Sequence, residues 1–235
     1  VNKRQTWVVV VIFAMAMAWL ETAAVIYLRT LVNRLDPYQT NPLPMFGGLG
    51  EIEFWREAAT LVMLLTVGAL AGKTWRSRLA YTFIAFGVWD IFYYIFLVPT
   101  THWPHSIFDW DILFLIPLPW WGPVLAPVLI ASLMIIGGTL VAQVDEPNAP
   151  FAPRRLAMAV ALVGALLVLY VFMADTLRAA SEGIAAIRAV LPATFNWSLF
   201  IIALGLMGAP IIDMLWRLKI NVRRIEQLRR TLVKD

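Results

Sequence analysis

Residues 7–28 read WVVVVIFAMAMAWLETAAVIYL, with Glu21 as the only charge. A bilayer core about 30 Å thick is crossed by about 20 mainly apolar residues in a helix. This run is therefore a transmembrane helix. A basic start, Lys3 and Arg4, precedes it. The apolar stretch continues to Leu28 without a clean small-residue cleavage site, so it reads as a span that also serves as a signal anchor.

Working outward, five further runs qualify: 54–74, 79–98, 120–142, 155–176 and 195–218, the last with Pro210 as a kink point. The whole chain agrees. It has 235 residues, 61% hydrophobic and 14% charged, where soluble domains are about 45–50% apolar and about 25% charged. That balance excludes a soluble globular enzyme and a disordered chain. The expected fold class is an all-α integral membrane protein, a six-transmembrane-helix bundle with a short re-entrant or interfacial segment on the outer side. Residues 1–218 form one domain, and 219–235 a basic cytoplasmic tail helix with a stripe of Leu218, Val222, Ile225, Leu228 and Leu232.

The net charge of +4 reports topology. With the N-terminus inside, 14 Lys and Arg fall on the inner side and 5 (Arg29, Arg34, Arg56, Arg178, Arg188) on the outer side. The positive-inside rule then places both termini in the cytoplasm, in a bacterial-type inner (plasma) membrane. The expected partners are the lipid bilayer and other membrane subunits or further copies of the chain, and not nucleic acid, which calls for a basic patch on a soluble face.

The chain has no cysteine, which excludes disulfides, Fe–S clusters and c-type haem. No Lys lies mid-span for a retinal Schiff base, and no His lies within a span for haem. There is no P-loop, no GxGxxG and no GxSxG.

Three outer connections differ in character. Residues 29–53 are rich in Pro and Gly (Pro37, Pro42, Pro44, Gly47, Gly48, Gly50) and read as irregular. Residues 99–119 contain an apolar stretch, 108–118, too short to span, which reads as re-entrant or interfacial. Residues 177–192 place Leu177, Ala180, Ile184, Ile187 and Leu191 at helical spacing, an interfacial helix.

The acids locate the candidate site. By helical rise, Asp90 lies about 16 Å into the core and Glu21 about 10 Å below its outer edge. Glu57 sits just inside the second span. A carboxylate at the centre of an isolated helix costs about 2.5–3.5 kcal/mol, so such groups face the bundle interior and mark function. The candidate ligand-binding set is Glu21, Glu57, Asp90 and Asp111, with Arg56 and Tyr94 as supporting groups. Asp90 shares a helix face with Phe86, Gly87, Tyr93 and Tyr94; Gly87 leaves room, and the tyrosines are expected to donate to Asp90. Arg56 can reach Glu21, Glu53 or Asp111, and Glu21 lies two turns from Arg29 on one face. The bland alternative is an ion-pair network that fixes helix register.

A second cluster, His102, His105 and Asp109 beside Asp111, has N and O donors for a divalent metal such as Zn, Mn, Fe or Cu. Pro104 works against both histidines sharing a face. Nine of the eleven tryptophans fall at span ends, as an aromatic belt does; Trp19 and Trp89 lie deeper, as site walls. Gly68 and Gly72 form a GxxxG that permits close helix contact.

Two functions follow. The first is a polar site in the outer half that binds a cation, a metal or a cationic small ligand, for transport or metal-dependent membrane chemistry. The second is a non-catalytic structural or accessory subunit of a larger membrane complex of electron-transfer type. Acids sharing a cavity without Arg partners favour the first; acids each paired to Arg29 or Arg56 favour the second.

Overall fold

The computed structural model describes residues 2–40, 49–115, 118–146 and 151–232, with side chains described outside 49–51 and 221–232. Pro42, Pro44, Gly47, Gly48 and Pro117, part of the inner loop at 147–150, and the tail's side-chain stripe and arginines beyond Ile220 lie outside these described residues.

Six helices are long and apolar enough to cross a membrane. Helix α1 (Lys3–Leu31) starts at Asn2, whose side chain accepts from the Arg4 N–H while the Gln5 side chain accepts from the Asn2 N–H. This reciprocal cap satisfies helix-start donors that have no intrahelical acceptor. Helix α2 (Leu49–Ala71) is followed after a short turn by α3 (Trp75–Thr101). There Thr74 and Ser77 cap each other in the same manner. Helices α4 (Leu125–Val144) and α5 (Arg155–Ala179) follow.

The last span is broken. Helix α7 (Trp197–Met207) stops at Gly208 and α8 (Ala209–Leu232) restarts at once. Pro210 causes the break: it offers no N–H, and its ring crowds the carbonyl four residues back, that of Leu206. The expected tail helix at 219–235 is no separate element, because α8 continues through Leu232.

Two connections between helices depart from expectation. Between α3 and α4 the chain forms an antiparallel hairpin, β1 (Trp110–Phe114) and β2 (Trp120–Pro123), with Asp111 opposite Gly122 and a bulge between Ile112 and Phe114. The fold remains an α-helical bundle with this short hairpin between two of its helices, and the fourth long helix begins at Leu125 rather than at residue 120. The segment is rich in Trp, Phe and Ile, residues that suit a pleated surface, and Pro119 cannot enter a helix interior. The 177–192 connection is fragmented. Helix α5 runs to Ala179, a 3₁₀ turn covers Ala180–Glu182, and Gly183 at φ 98° separates these from the short α6 (Ile184–Ala189).

Glycines set the closest helix contacts. A Cβ on Gly87 would lie 2.5 Å from the Ala131 carbonyl oxygen of α4, and one on Gly138 would lie 2.6 Å from the Ala80 carbonyl oxygen of α3. The two contacts are reciprocal and bring the α3 and α4 backbones together at two levels. Gly68 and Gly72 press α2 onto Arg78 and Thr82 of α3 in the same way. A Cβ on Gly164 of α5 would lie 2.6 Å from the Ala203 carbonyl oxygen of α7. No such seam joins α4 to α5. The α5–α7 pair reaches the first four helices mainly through β2 and α8.

The two ends of the bundle are marked by polar ties. At one end Lys3 Nζ donates to the Gln143 and Asp145 carbonyls and to Glu146, Arg76 Nε pairs with Asp145 at 2.8 Å, and Asp213 accepts from the Arg154 N–H and Arg217. The hairpin lies at the other end. There Tyr38 Oη donates to the Pro192 carbonyl, and Thr176 Oγ1 of α5 donates to the Pro119 carbonyl.

Candidate functional site

The hairpin closes a cavity of about 480 Å³. Volumes of about 300–1,000 Å³ are typical of small-molecule sites. Glu21 (α1), Glu57 (α2), Asp90 (α3) and Asp111 (β1), four acids far apart in sequence, all line it. So do Arg56 and Tyr94. The ligand-binding set read from the sequence thus meets in one place.

The acids are not equivalent. Asp111 is 1% exposed. Its Oδ1 accepts from Arg29 Nη2 at 2.8 Å and from the Ile112 N–H at 2.8 Å, and its Oδ2 accepts from Tyr94 Oη at 3.2 Å. Burial pushes the Asp111 carboxyl above the ordinary range, while Arg29 opposes that rise. Arg29 also donates to Tyr93 Oη at 3.3 Å, and its guanidinium lies 4.5 Å from the centre of the Trp103 ring. A cation over an indole face is attracted by the ring quadrupole.

Arg56 makes a second knot. It grips Glu53 through Nε (2.8 Å) and Nη2, a two-pronged contact, and pairs with Glu21 through Nη1. This planar fork matches carboxylate geometry. Among the options open to Arg56, the folded chain takes Glu21 and Glu53 and leaves Asp111 to Arg29.

Glu57 and Asp90 are held differently. Glu57 is 7% exposed and accepts only the Leu115 N–H, at 3.1 and 3.4 Å. That bond docks the hairpin onto α2. Among the described residues Glu57 has no ion pair, and Asp90 has neither a hydrogen bond nor an ion pair. The expected tyrosine bonds to Asp90 are absent. Tyr94 turns to Asp111 and Tyr93 to Arg29, because the hairpin places Asp111 at the tyrosine hydroxyls. Nor does Gly87 make room beside Asp90; it admits the α4 backbone.

Five carboxylates (Glu21, Glu53, Glu57, Asp90, Asp111) and three guanidiniums (Arg29, Arg34, Arg56) line the cavity. Arg34 is turned toward the Pro37 and Gln39 carbonyls. The formal balance is two negative charges.

The opposite wall carries no charge. Helices α4, α5 and α7 present Ile130, Met134, Ala165, Leu169, Phe172 and Met207. Trp89, Phe114 and Trp120 form a run of aromatic contacts on the cavity lining, with centroid separations of 6.5 and 5.2 Å. Trp89 is a wall, as its depth suggested. Trp19 is not; it is half exposed and packs edge-on against Phe96. Trp103 and Trp121, expected in the aromatic belt, are buried instead.

The histidine cluster does not join this site. Asp109 Oδ2 accepts the His105 and Ser106 N–H groups at 2.7 and 3.2 Å, closing a turn. His102 is the left-handed cap of α3, at φ 58°. Among the described residues no group of three or more His, Asp or Glu converges as a metal site.

Sequence reasoning missed the pairing of Arg29 with Asp111, the Leu115 N–H on Glu57, and the apolar α4–α5 wall. Arg29 carried a signal, as the one basic residue at the outer end of α1. The backbone donor and the wall carried none, since both depend on the hairpin.

Comparison with protein-family models finds no match to this chain. Comparisons with curated proteins and with solved structures find none either.

Proposed function

We propose that the chain is an integral membrane protein whose cavity binds a cationic small molecule, with Glu57 and Asp90 as its anionic contacts. One observation carries the reading. Of the acids that share the cavity, Glu21, Glu53 and Asp111 have guanidinium partners, and Glu57 and Asp90 have none among the described residues. An unpaired carboxylate at membrane depth holds either a proton or a cation, because bare charge there is costly. The aromatic wall favours an organic ammonium, which gains from ring faces as well as from carboxylates. A metal ion at Glu57 and Asp90 is the competing ligand within the same reading. The asymmetry of 14 inner to 5 outer basic residues supports cytoplasmic termini and a plasma-membrane location.

The accessory-subunit reading draws on the other acids. Glu21–Arg56–Glu53 and Arg29–Asp111 are internally satisfied, as they would be in a subunit with no ligand of its own. It has no account of Glu57 and Asp90.

The test is calorimetric titration of the protein in lipid nanodiscs with tetramethylammonium and, separately, with Mn²⁺. Losing one charged contact costs about 1.5–3 kcal/mol, so Glu57→Gln and Asp90→Asn are each expected to weaken cation binding by about 10- to 100-fold. Binding of neither cation to the unsubstituted protein, or equal binding to the variants, would overturn the proposal in favour of the subunit.

A further inference from the structure

The walls of the cavity differ in chemistry by element. Every charged lining residue comes from α1, α2, α3, β1 or the connection after α1. Every lining residue from α4, α5 and α7 is apolar: Pro127, Ile130, Ala131 and Met134, then Ala165, Val168, Leu169 and Phe172, then Met207. A hydrated inorganic ion needs the first wall and gains nothing from the second. Its water shell would instead face side chains that cannot bond it.

The apolar wall is also where backbone contact is sparse. Helices α4 and α5 are consecutive, yet their backbones approach little, and they meet through side chains near the hairpin, Ala126 and Ile130 packing in one cluster with Val168 and Phe172. The glycine seams join α2 to α3, α3 to α4 and α5 to α7, and none closes the α4–α5 side. Leu162 and Leu166 of α5, within one turn of the lining residues Ala165 and Leu169, are exposed on the surface of the bundle. In a bilayer such exposure means contact with acyl chains.

From this division we infer that the ligand is a membrane-borne amphiphile, an amine head at Glu57 or Asp90 joined to an apolar chain or ring lying against the apolar wall of α4 and α5. The inference rests on the cation-binding reading and adds the ligand class to it. A protonated amine is met by a carboxylate and by the faces of the aromatic wall. Its apolar portion fills space whose lining offers it no polar competition. The volume of 480 Å³ is ample for a head and a medium-length tail, and burial of each methylene from water is worth about a fourfold gain in affinity at most.

The test is a series of methyl-, butyl- and octylammonium titrated into nanodisc-held protein, with the heat of protein-free nanodiscs subtracted. Octanesulfonate serves as the matched anion. Affinity is expected to rise along the series, with octylammonium at least tenfold tighter than butylammonium, and octanesulfonate is expected not to bind. Leu169→Trp and Ala165→Phe fill the apolar side. They should remove the preference for octylammonium over methylammonium, with an unchanged helical circular-dichroism spectrum showing that the variants are folded. Glu57→Gln with Asp90→Asn should abolish binding of the whole series.

Equal affinity for methyl- and octylammonium would overturn the amphiphile and leave the cation reading standing. Octylammonium uptake unchanged in the double variant, or matched by octanesulfonate, would also overturn it, as simple partition into lipid. If no ammonium binds, both readings fall together.

Discussion

Residues 3–146 contain every guanidinium and every carboxylate that faces the cavity, whereas α5 and α7 present it with hydrocarbon alone. Both regions pack helices on glycine, Gly87 and Gly138 in the first and Gly164 in the second. They differ in where charge is allowed. In the first region ions are buried at depth and held by Arg29, Arg56 and tyrosine hydroxyls. In the second, among the described residues, they sit toward the ends of the apolar spans, as Arg178–Asp175 and Arg217–Asp213 do. Helix α5 is accordingly the most apolar of the six spans. The contrast teaches that the polar chemistry is organised by one part of the chain and enclosed by another.

That contrast can be broken by substitution, and the largest effect is expected at Asp111. Asp111→Ala strands the Arg29 guanidinium at a site where it is 12% exposed. Removing one partner of a buried pair costs about 3–5 kcal/mol, to be read as a fall in thermal midpoint of the purified protein. An unchanged midpoint would show that the pair is not what secures the hairpin. Next in size is Gly87→Ala, which drives a methyl into the α4 backbone; overpacking of this kind costs about 1–3 kcal/mol. Gly205→Ala is its control in the second region. Nothing lies within 4 Å of that position, and the gain in helix propensity is up to about 1 kcal/mol. Similar losses at both glycines would erase the distinction between seam and open face.

The smallest effects fall on charges outside the knots. Asp175→Asn removes its pairing with Arg178, which is largely exposed, and such pairs are worth about 0–1 kcal/mol. Asp90→Asn has no hydrogen bond to lose among the described residues, so its midpoint should move by less than about 1 kcal/mol. A fall as large as that of Asp111→Ala would mean that Asp90 is structural and would remove it from the ligand site.

Much of this organisation was legible in the residues. Runs of about 20 apolar positions announce spans whatever their neighbours, and α1, α2, α3 and α5 overlie the expected segments. The convergence of Glu21, Glu57 and Asp90 was legible too, since intramembrane acids have few places to go. The hairpin was not. Residues 110–114 are short, apolar and without a clear alternation, and such a run does not separate strand from buried helix. Everything that depends on it was hidden in turn: Asp111 capturing Tyr94, Leu115 engaging Glu57, and Phe172 filling the space left by Gly122. The choice of Arg56 for Glu21 and of Arg29 for Asp111 was likewise open, because it turns on helix rotation and not on spacing.

The order of these partners along the chain has a consequence for how the protein is made. Lys3, Arg29, Arg56 and Arg76 all find their acids by residue 146, and Glu57 and Asp111 find their donors by residue 115. A chain extended only as far as residue 146 already contains the partners of all these groups. Helix α5 supplies none of them, so the polar knots can form before it exists.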